Sequence, residues 1–422
     1  VERQINDLGN SRYEVRISLT KNELQPHYNQ VYNEAQQGIA LDGFRKGKVP
    51  LNIIKQKFGR QIEADALESI ADTEFKSFAT ADKIKVVGNP GLTDVQKDAD
   101  GSVTFTIRYD VMPEFELQSY RGITVNRPVR PITDEDVQNE IDRLCLRAAS
   151  FEPAEKVVDA MHIATLSMRD LDKETGMPIL GKEGREVKVF VDDENVDMHL
   201  RNSLNDKSVG DTFTYVAETE DENAVPPSYH VTVTDIQKVV PAEFTNEFAE
   251  LVSQGRFKTT EEVRDDIRHQ LEHYVEDASR EAMENQIVDH LVKAHTIDVP
   301  HSLVHAVVHQ LADDFKRRNE NVPDIQKMTA HDLEPQLLPT AERIVRWELI
   351  RERIIETEKI ELTDEDLSTA ATRYGLDADQ LRMLLRQNHS VGDQLLAEKA
   401  MQILIDYAII NDVGVADEEP VA

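Results

Sequence analysis

The chain has 422 residues, 40% of them apolar and 30% charged, with 80 acidic side chains against 48 lysines and arginines and a formal net charge of -32. That length calls for roughly two to four domains. Nowhere does a run of about 18 apolar residues occur, which excludes a membrane-spanning helix, and the single cysteine, Cys145, excludes an intrachain disulfide and suits a reducing compartment. So strong an acidity keeps a protein in solution, and it repels nucleic acid wherever it is not interrupted. The first residues, V-E-R-Q-I-N-D-L-G, lack the apolar core of a signal peptide, so cytoplasm is the expected compartment.

Residues 1–112 read as an α+β unit. Tyr13, Val15, Ile17 and Leu19 alternate with polar neighbours, the pattern of a half-buried strand. Thr20 and Glu23 have capping-box spacing at the start of a helix that carries Leu24, Tyr28, Val31, Tyr32 and Ala35 and ends near Gly38. A short helix is expected at 51–58 and a longer one from about 61 to 79. Val103, Phe105, Ile107, Tyr109 and Val111 alternate again as a second strand, entered by a turn at 98–101. Residues 113–152 read as a linker followed by a helix, capped by Thr133 and Asp136, that places Val137, Ile141, Leu144 and Cys145 on one buried stripe. Short alternating strands around 164–168, 187–191, 213–215 and 229–233 make 153–240 a small β-rich domain. From 241 to 422 everything reads as helical. Thr259 and Glu262 cap one helix, Pro300 opens the next, and further helices are expected at 341–358, 374–387 and 392–410. In the one at 341–358, Ile344, Trp347, Ile350 and Ile354 do not share one arc with their apolar neighbours. Such a helix either leaves apolar surface open to a client or forms a buried spine.

The acidity is broken at residues 41–60, where Arg45, Lys46, Lys48, Lys55, Lys57 and Arg60 face one acid, Asp42. Gly43 and Gly47 bracket Phe44, Arg45 and Lys46, and Pro50 closes the loop. Two glycines allow a tight exposed turn, and an aromatic beside two cations suits a polyanionic partner.

No catalytic constellation stands out. The G-x-x-x-G at 43–47 lacks the lysine and hydroxyl of a phosphate loop, a single cysteine makes no zinc knuckle, and His269 and His273 lack the H-E-x-x-H order. His301, His305 and His309 stand at i, i+4 and i+8, a spacing able to chelate a metal. Read without a carboxylate or cysteine at matching spacing, they form a polar shoulder that gains charge below a pH of about 6.5. No metal and no cofactor are expected, and Cys145 reads as a small core residue.

The run G-F-R-K-G-K-V-P at 43–50 resembles the signature of trigger factor, the bacterial ribosome-associated chaperone family. Two further stretches are similar to the family's C-terminal part: V-D-H-L-V-K-A-H-T-I-D-V-P-H-S-L-V-H-A-V-V at 288–308, and E-K-A-M-Q-I-L-I-D-Y-A-I-I-N-D-V at 398–413. The resemblance covers nearly the whole chain. It implies a multidomain α+β protein with an N-terminal docking domain (1–112), a linker and helix belonging to the C-terminal body (113–152), a small FKBP-like domain (153–240) and a large all-α chaperone domain with arms (241–422). It also implies an ATP-independent chaperone that docks beside the exit tunnel of the large ribosomal subunit, on protein and rRNA, and shields unfolded nascent chains. Carried over by position, Phe44, Arg45 and Lys46 are the tip contacts, with Lys48 beside them and Gly43, Gly47 and Pro50 shaping the turn. Client contacts fall on Ile344, Trp347, Ile350 and Ile354, and self-association off the ribosome is implied as well.

The middle domain departs from the family. Typical members open it with a glycine-punctuated V-x-I-x-[FY]-x-G and carry I-P-G-[FW] and F-P-x-x-Y pocket motifs. Here those stretches read H-I-A-T-L-S-M (162–168), L-R-N-S-L (200–204) and A-V-P-P-S-Y (224–229). Val209, Gly210, Asp211, Thr212 and Phe213 match the family's turn before a strand, so a framework is kept while the pocket is lost. The family's prolyl isomerase activity is therefore expected to be weak or absent. Two alternatives remain: an active ribosome-bound prolyl isomerase, and a helical chaperone that never meets ribosomes, which the basic loop argues against.

Overall fold

The computed structural model describes all residues except 42, 43, 46, 173–174, 180–183, 194, 218–225 and 415–422. It opens with a hairpin of β1 (Glu2–Gly9) and β2 (Arg12–Leu19), followed by α1 (Lys21–Gly38), α2 (Leu51–Ala81), β3 (Val86–Lys97) and β4 (Val103–Val111). The strands form an antiparallel sheet in the order β1-β2-β4-β3. Alternation along β2 and β4 puts Val15, Ile17, Leu19, Phe105 and Ile107 against Leu24 of α1 and Leu67, Ile70, Phe75 and Phe78 of α2. Thr20 and Glu23 form the expected capping box, each side chain meeting the other's backbone amide.

Two expectations fail in this region. The basic segment does not lead into two helices: α2 is continuous through Gly59, which is buried. A Cβ at Gly59 would stand 3.0 Å from the Tyr32 hydroxyl, so the glycine marks a close helix–helix approach and not a break. Strands β1 and β3 were not expected. Nearly every residue of β1 is exposed, which removes the alternation that betrays a strand. In β3, Gly88, Pro90 and Gly91 read as loop, and its pairing with β4 slips between Val87 and Gly91.

The chain continues through β5 (Thr124–Val129), α3 (Asp134–Arg147), β6 (Ser150–Pro153), β7 (His162–Asp170), β8 (Arg185–Phe190), α4 (Met198–Leu204), β9 (Thr212–Val216), β10 (Ser228–Val240), α5 (Asn246–Val252) and α6 (Thr260–Ala294). It ends with α7 (His301–Arg318), α8 (Pro323–Lys327), α9 (Ala330–Glu358), α10 (Asp364–Tyr374), α11 (Ala378–Gln387), α12 (His389–Tyr407) and β11 (Ile409–Gly414). The compact units do not follow chain order. One comprises Val1–Arg127 with Glu281–Asp412, the other Pro128–Arg280 with Val413–Ala422.

Within the first unit a helical core joins Ile287 and Leu291 of α6, Val304 and Val308 of α7, Ala341, Val345, Ile350 and Ile354 of α9, and Leu404 of α12. A satellite core holds Ala370, Ala371, Leu381 and Leu395. The second unit has a β core, in which Ala164, Leu166, Val231, Val233 and Ile236 pack on Leu200 and Leu204 of α4. Its helical core sets Val137, Ile141 and Cys145 against Phe248, Val263 and Ile267. Cys145 is buried as expected, and burial, helped by Asp142, pushes its thiol up from the ordinary value.

The expectation that everything after 241 is helical is corrected at the end, where β11 pairs with β5 and Arg127 grips Asp412 with two nitrogens at 2.7 and 2.9 Å. α9 starts at Ala330, well before 341, and carries Pro335 and Pro339 inside it. Those prolines obscured its first turns in the sequence. The helix expected at 374–387 begins only at Ala378: Tyr374 is the last residue of α10, Gly375 ends that helix in the left-handed region (φ 65°), and Asp377 caps α11 afresh.

Candidate functional site: a basic loop on a buried plug

The loop between α1 and α2 is built on an apolar plug. Val49 is fully buried against Tyr32 and Ile54, with Ile39, Leu41 and Leu51 packed around them. The Gln36 side-chain amide donates to the Val49 carbonyl at 2.6 Å. Pro50 then caps α2 with its φ near -59°, ready for a helix start. Above the plug the chain doubles back: the Phe44 amide donates to the Leu41 carbonyl at 3.0 Å, and the Lys48 amide to the Arg45 carbonyl at 2.9 Å. Gly47 has a φ of +78°, a conformation that explains the glycine. Among the described loop residues, Phe44 is 40% exposed, and Arg45, Lys48 and Pro50 are exposed too. Gly43 and Lys46 lie outside the described residues.

The first turns of α2 extend the basic surface through Lys55, Lys57 and Arg60, all exposed. Lys55 sits 4.9 Å from the Tyr32 ring centre and its ammonium donates to Asn29 at 3.4 Å. Tyr32 in turn donates its hydroxyl to Glu63 at 2.7 Å, and burial together with that bond pushes its phenol upward. Among the described residues, Arg45, Lys48, Lys55, Lys57 and Arg60 make no ion pair with a carboxylate. In a chain with 80 acidic side chains, cations without an ion pair among the described residues, clustered in one stretch of chain, form a region ready to accept anions from outside.

The second candidate set divides. Ile350 and Ile354 are fully buried in the helical core of the first unit, so no client can reach them and their expected role as client contacts is corrected. Ile344 and Trp347 are half-buried. Trp347 packs against that core, with the Arg351 guanidinium 6.0 Å from its ring centre. The helix is apolar on several sides because several elements surround it, which is the buried-spine alternative. A cleft of roughly 1420 Å³ in the same unit is lined by Tyr13, Tyr109, Val111, Phe115, Leu349 and Arg353, among others. Sequence patterning gave no hint of it, since its walls come from strands and helices far apart in the chain.

Residues 1–144 match the family model described as bacterial trigger factor protein (TF), and residues 259–406 match the one described as its C-terminus. The chain belongs to the trigger factor family. The trigger factor of Salinibacter ruber is 26% identical over 419 residues, spanning 93% of this chain and 89% of its own. That of Chlorobium phaeobacteroides is 28% identical over 374 residues, spanning 88% and 87%. A solved structure of the trigger factor chaperone, described for promiscuous substrate recognition in folding and assembly, covers 96% of this chain and 99% of its own at 18% identity, with a TM-score of 0.50. That likeness bears on the fold: a multidomain α+β trigger factor architecture. The basic loop and the whole N-terminal sheet lie inside the first matched segment, and residues 145–258 lie outside both.

Proposed function

We propose that this trigger factor is an ATP-independent chaperone that docks through the 43–50 loop beside the exit tunnel of the large ribosomal subunit and shields unfolded nascent chains in the cytoplasm. The observation that carries this is the set of exposed cations, Arg45, Lys48, Lys55, Lys57 and Arg60, which make no ion pair among the described residues, in the same segment as an exposed Phe44 on a chain of net charge -32. Phosphates of rRNA or carboxylates of a ribosomal protein would replace the missing partners, and Phe44 would add apolar contact area at the centre. Residues 1–112 serve in this reading as the docking domain. The helical segment 241–422, with the helix of 113–152, serves as the body, and 153–240 as an FKBP-like domain that has lost its pocket. Half-buried Ile344 and Trp347, the cleft beside Phe115, and exposed apolar side chains such as Met383 and Leu338 offer clients a dispersed surface. No helix is long and apolar enough to cross a membrane among the described residues. Off the ribosome, the apolar surface together with the free tip favours a homodimer.

Co-sedimentation with ribosomes tests the docking step. Binding is expected to weaken steadily with added salt, as phosphate contacts require. It should be largely lost when Phe44, Arg45 and Lys46 are all replaced by alanine, with the thermal melt unchanged because the described pair, Phe44 and Arg45, is exposed. Undiminished binding by that triple variant would discard the loop as the docking point.

A further inference from the structure

The exposed face of α7 carries more than the three histidines noted in the sequence. Asp313 stands four residues beyond His309 and is exposed, so His301, His305, His309 and Asp313 form one continuous i, i+4 row along the helix. The opposite face of α7 is fixed, with Val304, Val308 and Ala312 buried against the helical core. The row therefore has a rigid base and faces solvent.

Within the row the imidazoles lie against one another. The His305 and His309 ring centres are 4.5 Å apart with planes at 63°, and His301 stacks on His305 at 5.9 Å. Among the described residues no hydrogen bond or ion pair engages the ring nitrogens of these three side chains. Three other exposed histidines of this acidic chain have carboxylates beside them. His269 and His273 on α6 face Glu272 and Glu276 at 3.3 and 4.0 Å, and His331 faces Glu334 at 3.0 Å. At His301 burial disfavours the charged imidazole, Arg12 and His305 act in the same sense, and Asp110 and Glu334 oppose them. His305 and His309 stand further along, towards Asp313.

We propose that His305 and His309 form a chelating site for a divalent transition metal ion of the nickel, copper or zinc class, with Asp313 one turn away adding negative charge. Neutral imidazole suits those ions, while the abundant carboxylates of this surface prefer magnesium and calcium. Among the described residues no three ligating side chains converge on one point. The site is thus a two-imidazole chelate completed by water, spanning one helical turn. Bridging adjacent turns stiffens α7, and because an unfolded chain does not hold the two rings in register, metal binding stabilises the folded state.

Calorimetric titration of the full chain, free of any histidine tag, with Ni²⁺ in the presence of excess Mg²⁺ tests the site. Uptake of Ni²⁺ accompanied by a raised melting temperature is expected. Affinity should fall by more than about a hundredfold in the double variant His305→Gln, His309→Gln, beyond the roughly ten- to hundredfold that outer-sphere changes commonly cause. Both side chains are exposed, so the metal-free melt of the double variant should match the parent. The double variant His269→Gln, His273→Gln is expected to bind as the parent does. No uptake by the parent, uptake unchanged in the α7 variant, or uptake lost instead with the α6 variant would each overturn the proposal.

Discussion

Asp110 shows how a single carboxylate organises the first unit. It is 3% exposed, accepts the Arg12 Nε–H at 2.9 Å and accepts the Ser302 amide at 2.6 Å. Helix α7 begins after Pro300, which offers no side-chain cap, so a residue of β4 supplies the missing acceptor at the helix N-terminus. Gly88 completes the fit: its φ is +68° and a Cβ there would fall 2.7 Å from that of Ser302. Burial by itself would raise the Asp110 carboxyl, but the Arg12 and Ser302 hydrogen bonds outweigh it and hold it below the ordinary carboxylate value. A depressed folded-state value means that the stabilisation is fully present above the unfolded value of about 3.9 and is lost as pH falls through the folded one. Asp110→Asn should therefore cost about 2 kcal/mol at neutral pH. In urea titrations at descending pH, the gap between parent and variant should close only under acid conditions, below about pH 4. A gap that is unchanged in acid would show that the carboxylate charge is not what matters. None of this was legible in the sequence, because Asp110 reads there as one more polar residue on the outer face of an alternating strand.

At the level of elements, the legible parts are those whose own sequence carries a period or a cap. β2 and β4 alternate, and the cap pairs Thr20 with Glu23 and Thr133 with Asp136 stand where the sequence places them. Illegible parts depend on a neighbour: β1 is a strand because β2 pairs with it, and α2 passes Gly59 because Tyr32 needs the space. The basic loop was legible as chemistry, through its charge and glycines, but the Val49 plug that holds it up was not. Helix α9 is the clearest case of ambiguity resolved by tertiary context. Apolar residues on several sides fit a client cradle as well as a spine, and only burial tells them apart. Ile354→Ala should destabilise the first unit by about 2–5 kcal/mol, the usual cost of emptying a filled core site. It should leave suppression of client aggregation intact at temperatures where the variant stays folded. Trp347→Ala, at a half-buried position, should cost less stability and weaken aggregation suppression more. Equal effects of the two variants on both measurements would show that the division between spine and client surface is wrongly drawn.

For the molecule as a whole, chaperoning and prolyl isomerisation make different demands on the two matched segments and the stretch between them. Both matched family segments flank residues 145–258 without entering them. Within that stretch the sheet runs β6-β10-β7-β8 with β9 on β10, and α4 drives Leu200 and Leu204 into its core. Prolyl isomerisation needs a desolvated apolar pocket that grips the proline ring, and Leu200 and Leu204, the buried residues of α4, are taken up by the core. Met198 is left 64% exposed at the start of that helix, and Arg201 occupies its middle with its Nε buried. Chaperoning makes no such demand: it needs dispersed apolar surface on a molecule kept from aggregating, and the net charge of -32 provides the second condition by self-repulsion. The full chain should therefore suppress aggregation of an unfolding client without ATP, while an X-Pro test peptide mixed with it relaxes at its uncatalysed rate, over tens to hundreds of seconds at 25 °C. A protease-free assay, following the peptide by NMR exchange or fluorescence, separates the two activities in one sample. Acceleration comparable to that of an FKBP would show that the middle domain keeps a working pocket, and failure of the full chain to suppress aggregation would overturn the chaperone reading.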